Sequence, residues 1–369
     1  LSPGLAAEKG RVSALDSVRA VAILTVIATH SLSATVAVTQ SFAIPTTIFA
    51  VFDYGQFGVQ VFFALSGWLI FSLYYKREKE ISARHYWSRR ISRIWPLWAV
   101  FVIVYFVIYN IDTEGLPVWV AILLALTFLG WTVGSLAAVP LGGLTIIQEM
   151  GHYSLFWLLR KRGIEAFLAS VIFGYLSFYV AHAFVSAGYV PQIADAWLQL
   201  SLYNSWPFFV LGGLAYLAVE ALKSSQGATG SPVRQVLSAK GAILLLVVLV
   251  LGSQSVYAQE TPGYFVLGYV VFAVLTGLAL NKIPIVNRFS WSLGRYSYFM
   301  YFFHFLVLKQ LEPIFLDSGL IGDNESMNQN LMVLMAMFIL STLISWSVAL
   351  LSWKIFENPI MNLARKRFA

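Results

Sequence analysis

No cysteine occurs in the 369 residues, which excludes disulfides, thiolate catalysis and cysteine-ligated zinc. Charge is almost as scarce. Asp, Glu, Lys and Arg make up 11% of the chain against 59% hydrophobic residues, where a soluble domain carries about 25% charged residues. No Gly/Ser-rich linker is long enough to join two globular domains, and residues 223–239 read only as a flexible loop. No internal repeat suggests the two-halved plan of many transporters. The five histidines are too scattered for a metal site of recognisable spacing, so no metal is expected. With a mean hydropathy of +0.75, the chain reads as an all-α integral membrane protein. It is expected to form a single polytopic domain over residues 1–369, with no appended soluble domain.

Apolar runs of membrane length lie at about 15–38, 56–75, 95–111, 145–159, 164–187, 201–221, 240–257, 263–280, 296–313 and 330–354. Ten transmembrane helices are therefore expected. A further apolar stretch within 112–144 is read as re-entrant or lying on the outer surface. A full crossing there would put Arg160-Lys161-Arg162 outside the cell. With ten spans the basic clusters fall on the cytoplasmic side, as do both termini. The net charge of +7 then reflects the positive-inside rule, and no nucleic-acid partner is expected. The first apolar run is too long for a cleavable leader and reads as a span.

That first run carries Arg19 and His30. Eleven positions apart, they lie about three helical turns and about 16 Å from each other on one face. Ionisable groups inside a membrane helix are costly, and they are functional candidates by default. His30 is the leading candidate for a general base, because a neutral imidazole can take a proton from a hydroxyl near neutral pH. Its bland alternative is a histidine hydrogen-bonded inside the bundle or at headgroup level.

Glu149 is the most isolated carboxylate in the apolar part of the chain. Beside an imidazole it would fix the tautomer and stabilise the imidazolium; otherwise it would pair with a structural arginine. Arg90 and Arg93 sit at i and i+3 just before Pro96 and would share a helix face turned toward the membrane core. Guanidinium groups there suit a cytoplasmic phosphate-bearing ligand, and anionic lipid headgroups suit them as well. Ser66-Gly67 reads chiefly as a close-packing site, since no base adjoins Ser66 in sequence to make it a nucleophile. Tyr153 and His152, one turn beyond Glu149, read as packing or hydrogen-bonding residues. Ser297, Tyr301 and His304 place polar groups at short, regular steps along an apolar helix and suggest the lining of a polar cavity.

Taken in order, these segments resemble the acyltransferase-3 family of bacterial membrane acyltransferases. Asp16-Ser-Val-Arg19 followed by His30 is similar to its first-helix signature, and Leu65-Ser66-Gly67-Trp68-Leu69-Ile70 to its second-helix motif. Arg89-Arg90-Ile-Ser-Arg93-Ile-Trp-Pro96 resembles its cytoplasmic arginine motif. Gly143 to Tyr153 resembles its Trp-Ser-x-x-x-Glu-x-x-Phe-Tyr pattern, with Leu144-Thr145 in place of Trp-Ser and His152 in place of the aromatic residue. Ser297-Tyr298-x-x-Tyr301-x-x-His304 and Phe356-Glu357-Asn-Pro359 also have counterparts, although no proline follows His304.

The resemblance implies transfer of an acyl group, acetyl in the first instance, from cytoplasmic acyl-CoA to a hydroxyl. The acceptor would be a cell-envelope glycan, a lipid-linked sugar or a small molecule. It also implies a place in the bacterial inner membrane among its lipids. On that reading Arg90 and Arg93 hold the CoA phosphates, Arg19 guides the pantetheine arm, and His30, assisted by Glu149, is the base. Ser66, Tyr153, Ser297, Tyr301 and His304 would line the substrate path. Two readings from other classes stand beside it. One is a proton-coupled exporter with His30 and Glu149 as a relay, and the other is a non-catalytic lipid-binding or sensory membrane protein.

Overall fold

A computed structural model describes residues 13–75, 81–109, 113, 115–130, 138–188, 205–224, 288–318 and 326–368. Among these residues all regular structure is helical, as expected for a chain whose backbone must satisfy its own hydrogen bonds in lipid. The helices are α1 (Ser13–Thr39), α2 (Thr46–Asp53), α3 (Phe57–Tyr75), α4 (Ala83–Ile103), α5 (Val118–Leu126) and α6 (Gly143–Leu159). They continue with α7 (Ile164–Ser186), α8 (Trp206–Ser224), α9 (Arg288–Asp317), α10 (Met327–Ser352) and α11 (Asn358–Phe368).

Among the described residues, five stretches are long and apolar enough to cross a membrane: Leu15–Thr39, Thr46–Tyr75, Ala83–Ile108, Phe289–Asp317 and Met327–Leu363. The sequence reading counts ten. Its runs at 145–159, 164–187 and 201–221 coincide with α6, α7 and α8. The 17 residues of α6 reach about 26 Å at 1.5 Å per residue, near the lower end of the lengths that span a hydrocarbon core of about 30 Å. α7 and α8 have 23 and 19 residues, within the usual length of a transmembrane helix. The runs at 240–257 and 263–280, and the loop from residue 225 on, lie outside the described residues.

Two local features depart from the linear pattern or refine it. The arginine motif, which precedes the apolar run beginning at about 95, lies in the N-terminal half of α4. Ser82 caps that helix by accepting from the His85 backbone N–H at 3.2 Å, so the helix starts a dozen residues early. Within 112–144 the structure places α5, whose nine residues are too few to cross a bilayer. The carbonyls at the end of α5 are capped from α4: Trp98 donates to Ala125 at 2.9 Å and Trp95 to Leu126 at 3.2 Å.

The chain divides into two compact units, and the cut falls inside α3 between Phe62 and Phe63. The first unit holds α1, α2, the start of α3, α9, α10 and nearly all of α11. Here Ala34 and Val38 of α1 pack with Val307, Leu308 and Leu311 of α9 and with Val333 and Met337 of α10. On the other side of α10, Leu334 meets Leu32 and Ile44. Gly294 of α9 lies directly against the Asp16 backbone carbonyl of α1. The outer face of α10 exposes Ile339, Leu343, Ile344 and Leu351, the apolar surface that a lipid-facing helix presents.

The second unit runs from Phe63 through α8. Within it α3 and α8 approach each other reciprocally over glycine. Gly67 lies against the Phe209 carbonyl, and Gly212 lies against the Ala64 carbonyl. Lipid gives apolar helices little reason to associate, so backbone approach over small residues contributes much of their attraction. The close-packing role read for Gly67 is what the structure shows. Gly67→Val is expected to destabilise the protein by about 1–3 kcal/mol or more, the range for overpacked cores. Thermal unfolding in detergent monitored by size-exclusion recovery checks this, with the exposed Leu158→Val as a silent control.

Candidate active site

In the first unit α1 is unbroken from Ser13 to Thr39, so Arg19 and His30 do share a face. Its hydroxyls bond back to their own helix: Ser31 to Ile27, Thr35 to Ser31 and Thr39 to Thr35, at 2.7–2.9 Å. Arg19 donates to the fully buried Asp16 at 2.7 Å. Asp16 entered the sequence analysis only as part of the first-helix signature and with no role, although its i, i+3 spacing from Arg19 was a sufficient signal. A guanidinium at this depth thus has a counter-charge one turn away.

His30 is half-buried and meets α9. Its ring centroid lies 5.3 Å from that of His304 and 4.4 Å from that of Phe305. His304 has no exposed surface, and its Nδ1 donates to the Met300 carbonyl at 2.9 Å. A carbonyl can only accept, so this bond fixes the proton of the neutral ring on Nδ1 and leaves Nε2 as a lone pair. Among the described residues that Nε2 has no hydrogen-bond partner. Tyr301 and Ser297, about one and two turns back, are also buried. The Ser297 hydroxyl is used locally on the Gly294 carbonyl at 3.0 Å, while Tyr301 stands edge-on to Phe62. The polar face read along Ser297, Tyr301 and His304 is therefore turned into the bundle.

The second unit holds the other cluster. Glu149 of α6 accepts from Ser66 of α3 at 2.7 Å, and the same oxygen, Oε1, accepts from the Tyr153 hydroxyl. Arg90 of α4 is buried beside it. Its guanidinium carbon stands 3.7 Å from the Tyr86 ring centroid and 5.3 Å from that of Tyr153, a cation–π arrangement. Arg90 also donates to the Tyr86 carbonyl at 2.8 Å, and Tyr86 donates to the Tyr153 carbonyl at 2.9 Å. The Arg90 Nε has no partner among the described residues. Tyr86 was missed in the sequence, although it lies one turn before Arg90 on the same helix.

Arg93 departs from expectation. It is exposed while Arg90 is buried, so the two do not share one inward face. Three residues turn a helix by about 300°, and the remaining 60° carries Arg93 past the edge of the packed stripe formed by Tyr86, Arg90, Ile94 and Leu97. His152 takes the place of an aromatic residue among Phe63, Trp206 and Phe209, with ring centroids at 5.0–5.6 Å. Its Nε2 is paired with the Ser205 hydroxyl at 2.9 Å, the hydrogen-bonding and packing role read from the sequence.

His30 falls in the first unit, and Glu149 in the second. Each has partners of its own: His304 beside His30, and Ser66 and Tyr153 on Glu149. Among the described residues no three or more His, Asp or Glu side chains gather as a metal-binding group.

A helical membrane protein with an imidazole pair, a carboxylate holding two hydroxyls and a buried arginine carries the groups of an acid–base transfer enzyme. The acyltransferase-3 family model, described as an acyltransferase domain, matches residues 12–350. The chain belongs to that family and is a membrane acyltransferase. No curated protein and no solved structure matches it.

Proposed function

We propose that the enzyme moves an acyl group, acetyl in the first instance, from acyl-CoA to a hydroxyl of a cell-envelope glycan, lipid-linked sugar or small molecule. It would do so in the bacterial inner membrane, with both termini cytoplasmic. The observation that supports the chemistry best is the histidine pair. His304 has its tautomer fixed by Met300, and its ring lies against that of His30. Two imidazoles packed together in an apolar bundle cannot both hold protons without strong repulsion. At least one stays neutral and able to accept a proton. His30, the less buried of the two, takes the proton of the acceptor hydroxyl, and the oxygen then attacks the acyl carbonyl. Release of CoA from the thioester needs no strong acid, because a thiol is a good leaving group.

Arg93, exposed on α4, would meet the CoA phosphates, and Arg90 would serve the buried cluster. Arg93→Ala is expected to raise the KM for acyl-CoA about tenfold with kcat nearly unchanged, the loss of one charge-assisted contact. Arg90→Ala is expected to lower kcat instead, and steady-state kinetics in proteoliposomes separate the two. The reading as a whole is tested with inverted membrane vesicles and acetyl-labelled acetyl-CoA. Label should move to a base-labile ester in the membrane glycan fraction with release of CoA. Vesicle uptake or efflux coupled to a proton gradient, with no CoA release, would favour a transporter and sink the enzyme reading.

A further inference from the structure

We propose that Ser66 carries the acyl group as a covalent ester, with Glu149 as its base; this rests on the acyl-CoA reading above. In sequence Ser66 has no base nearby, but the fold supplies one from 83 positions away, with Ser66 Oγ donating to Glu149 Oε1 at 2.7 Å. A nucleophilic hydroxyl within hydrogen-bond reach of its base, and the base oriented by a third group, is the arrangement covalent catalysis needs. Here the third group is the Tyr153 hydroxyl on the same carboxylate oxygen.

Accessibility distinguishes the two hydroxyls on Glu149. Tyr153 is buried, while Ser66 and Glu149 are half-buried, so only Ser66 is open to an incoming thioester. Its backbone is also clamped. Ala64 and Gly67 on either side lie against Gly212 and Phe209 of α8, which holds the nucleophile on a rigid element. The Arg90 guanidinium over the Tyr153 ring supplies positive charge to the same cluster, where an oxyanion would develop.

The two half-reactions balance. Ser66 Oγ bonds to the thioester carbonyl carbon as its proton passes to Glu149, the C–S bond breaks, and the departing CoA thiolate takes that proton. The acceptor oxygen then bonds to the same carbon and the bond to Oγ breaks. The acceptor's proton ends on Ser66 Oγ, restoring the serine. The ester lets CoA leave before the acceptor binds.

The test uses the full chain in lipid nanodiscs without acceptor, given acetyl-CoA and CoA labelled in its nucleotide. Label should exchange into acetyl-CoA with the wild type and fall at least 100-fold in Ser66→Ala and in Glu149→Gln. Ser66→Cys should retain exchange through a thioester. Glu149→Gln keeps an oxygen for both hydroxyls, so a merely structural carboxylate would leave exchange intact and overturn the proposal. With acetyl-labelled acetyl-CoA, acid-quenched wild-type protein should hold hydroxylamine-labile label on the peptide containing Ser66. Wild-type protein that esterifies the membrane glycan fraction without exchange or label on Ser66 overturns the proposal and leaves the enzyme reading standing. Absence of both esterification and exchange sinks both.

Discussion

His30→Ala is expected to abolish esterification of the acceptor, by about 10²–10⁴-fold in kcat, the contribution of a general base. The protein should still insert and fold, because His30 is half-buried and its contacts with His304 and Phe305 are ring contacts. His304→Ala opens a cavity in the bundle and also removes the neighbour of His30. It should lower kcat as well, together with the unfolding temperature, which His30→Ala should leave within a few degrees. His304→Asn keeps a polar group of similar reach without a base, and it should restore stability but not rate. The measurement is label transfer to the membrane glycan fraction beside size-exclusion recovery after heating. Wild-type turnover by a folded His30→Ala protein would remove His30 from the mechanism. If Ser66 carries the acyl group, His30→Ala should lose esterification yet keep CoA exchange, since its work lies at the acceptor.

Glu149→Ala should cost as much activity and, unlike His30→Ala, should also cost stability. It removes the acceptor for the Ser66 and Tyr153 hydroxyls together. Each hydroxyl left without a partner costs about 1–3 kcal/mol, and the buried Arg90 nearby loses a carboxylate. The change in rate is expected at about 10²–10⁴-fold. A double-mutant cycle sharpens the point. Ser66→Ala combined with Glu149→Ala should be scarcely slower than either alone, because residues that act as a unit are non-additive. Independent effects that multiply would show that the two do not work together. Unfolding midpoints and turnover measured on the same four proteins separate the structural share from the catalytic one.

Much of the site was legible within single helices. The Asp16–Arg19 pair, the placement of Arg90 over Tyr86 and the bond from His304 to the Met300 carbonyl all join positions three or four apart. Helical periodicity alone brings such positions together. The same periodicity misled at Arg93. The i, i+3 rule gives adjacency on the helix surface, but it does not say where the packed stripe ends. The count of ten spans is met only in part, with five stretches long and apolar enough among the described residues and two of the ten runs outside them. Hydropathy measures transfer from water and does not distinguish a full crossing from a shorter apolar helix packed inside protein.

Composition and motif order determined the class of this protein by themselves. Scarce charge, abundant apolar residues and motifs in the acyltransferase-3 order require a helical membrane enzyme of that family, because lipid leaves a spanning backbone few other solutions. Tertiary structure alone decided the partners of the reactive groups. Only the packing of α3 on α6 gives Ser66 a carboxylate, and only the packing of α1 on α9 sets the His30 ring against that of His304. Contacts between helices depend on how small residues such as Gly67 and Gly294 let backbones approach. That approach is a property of three-dimensional packing, on which the periodicity of one helix has no hold.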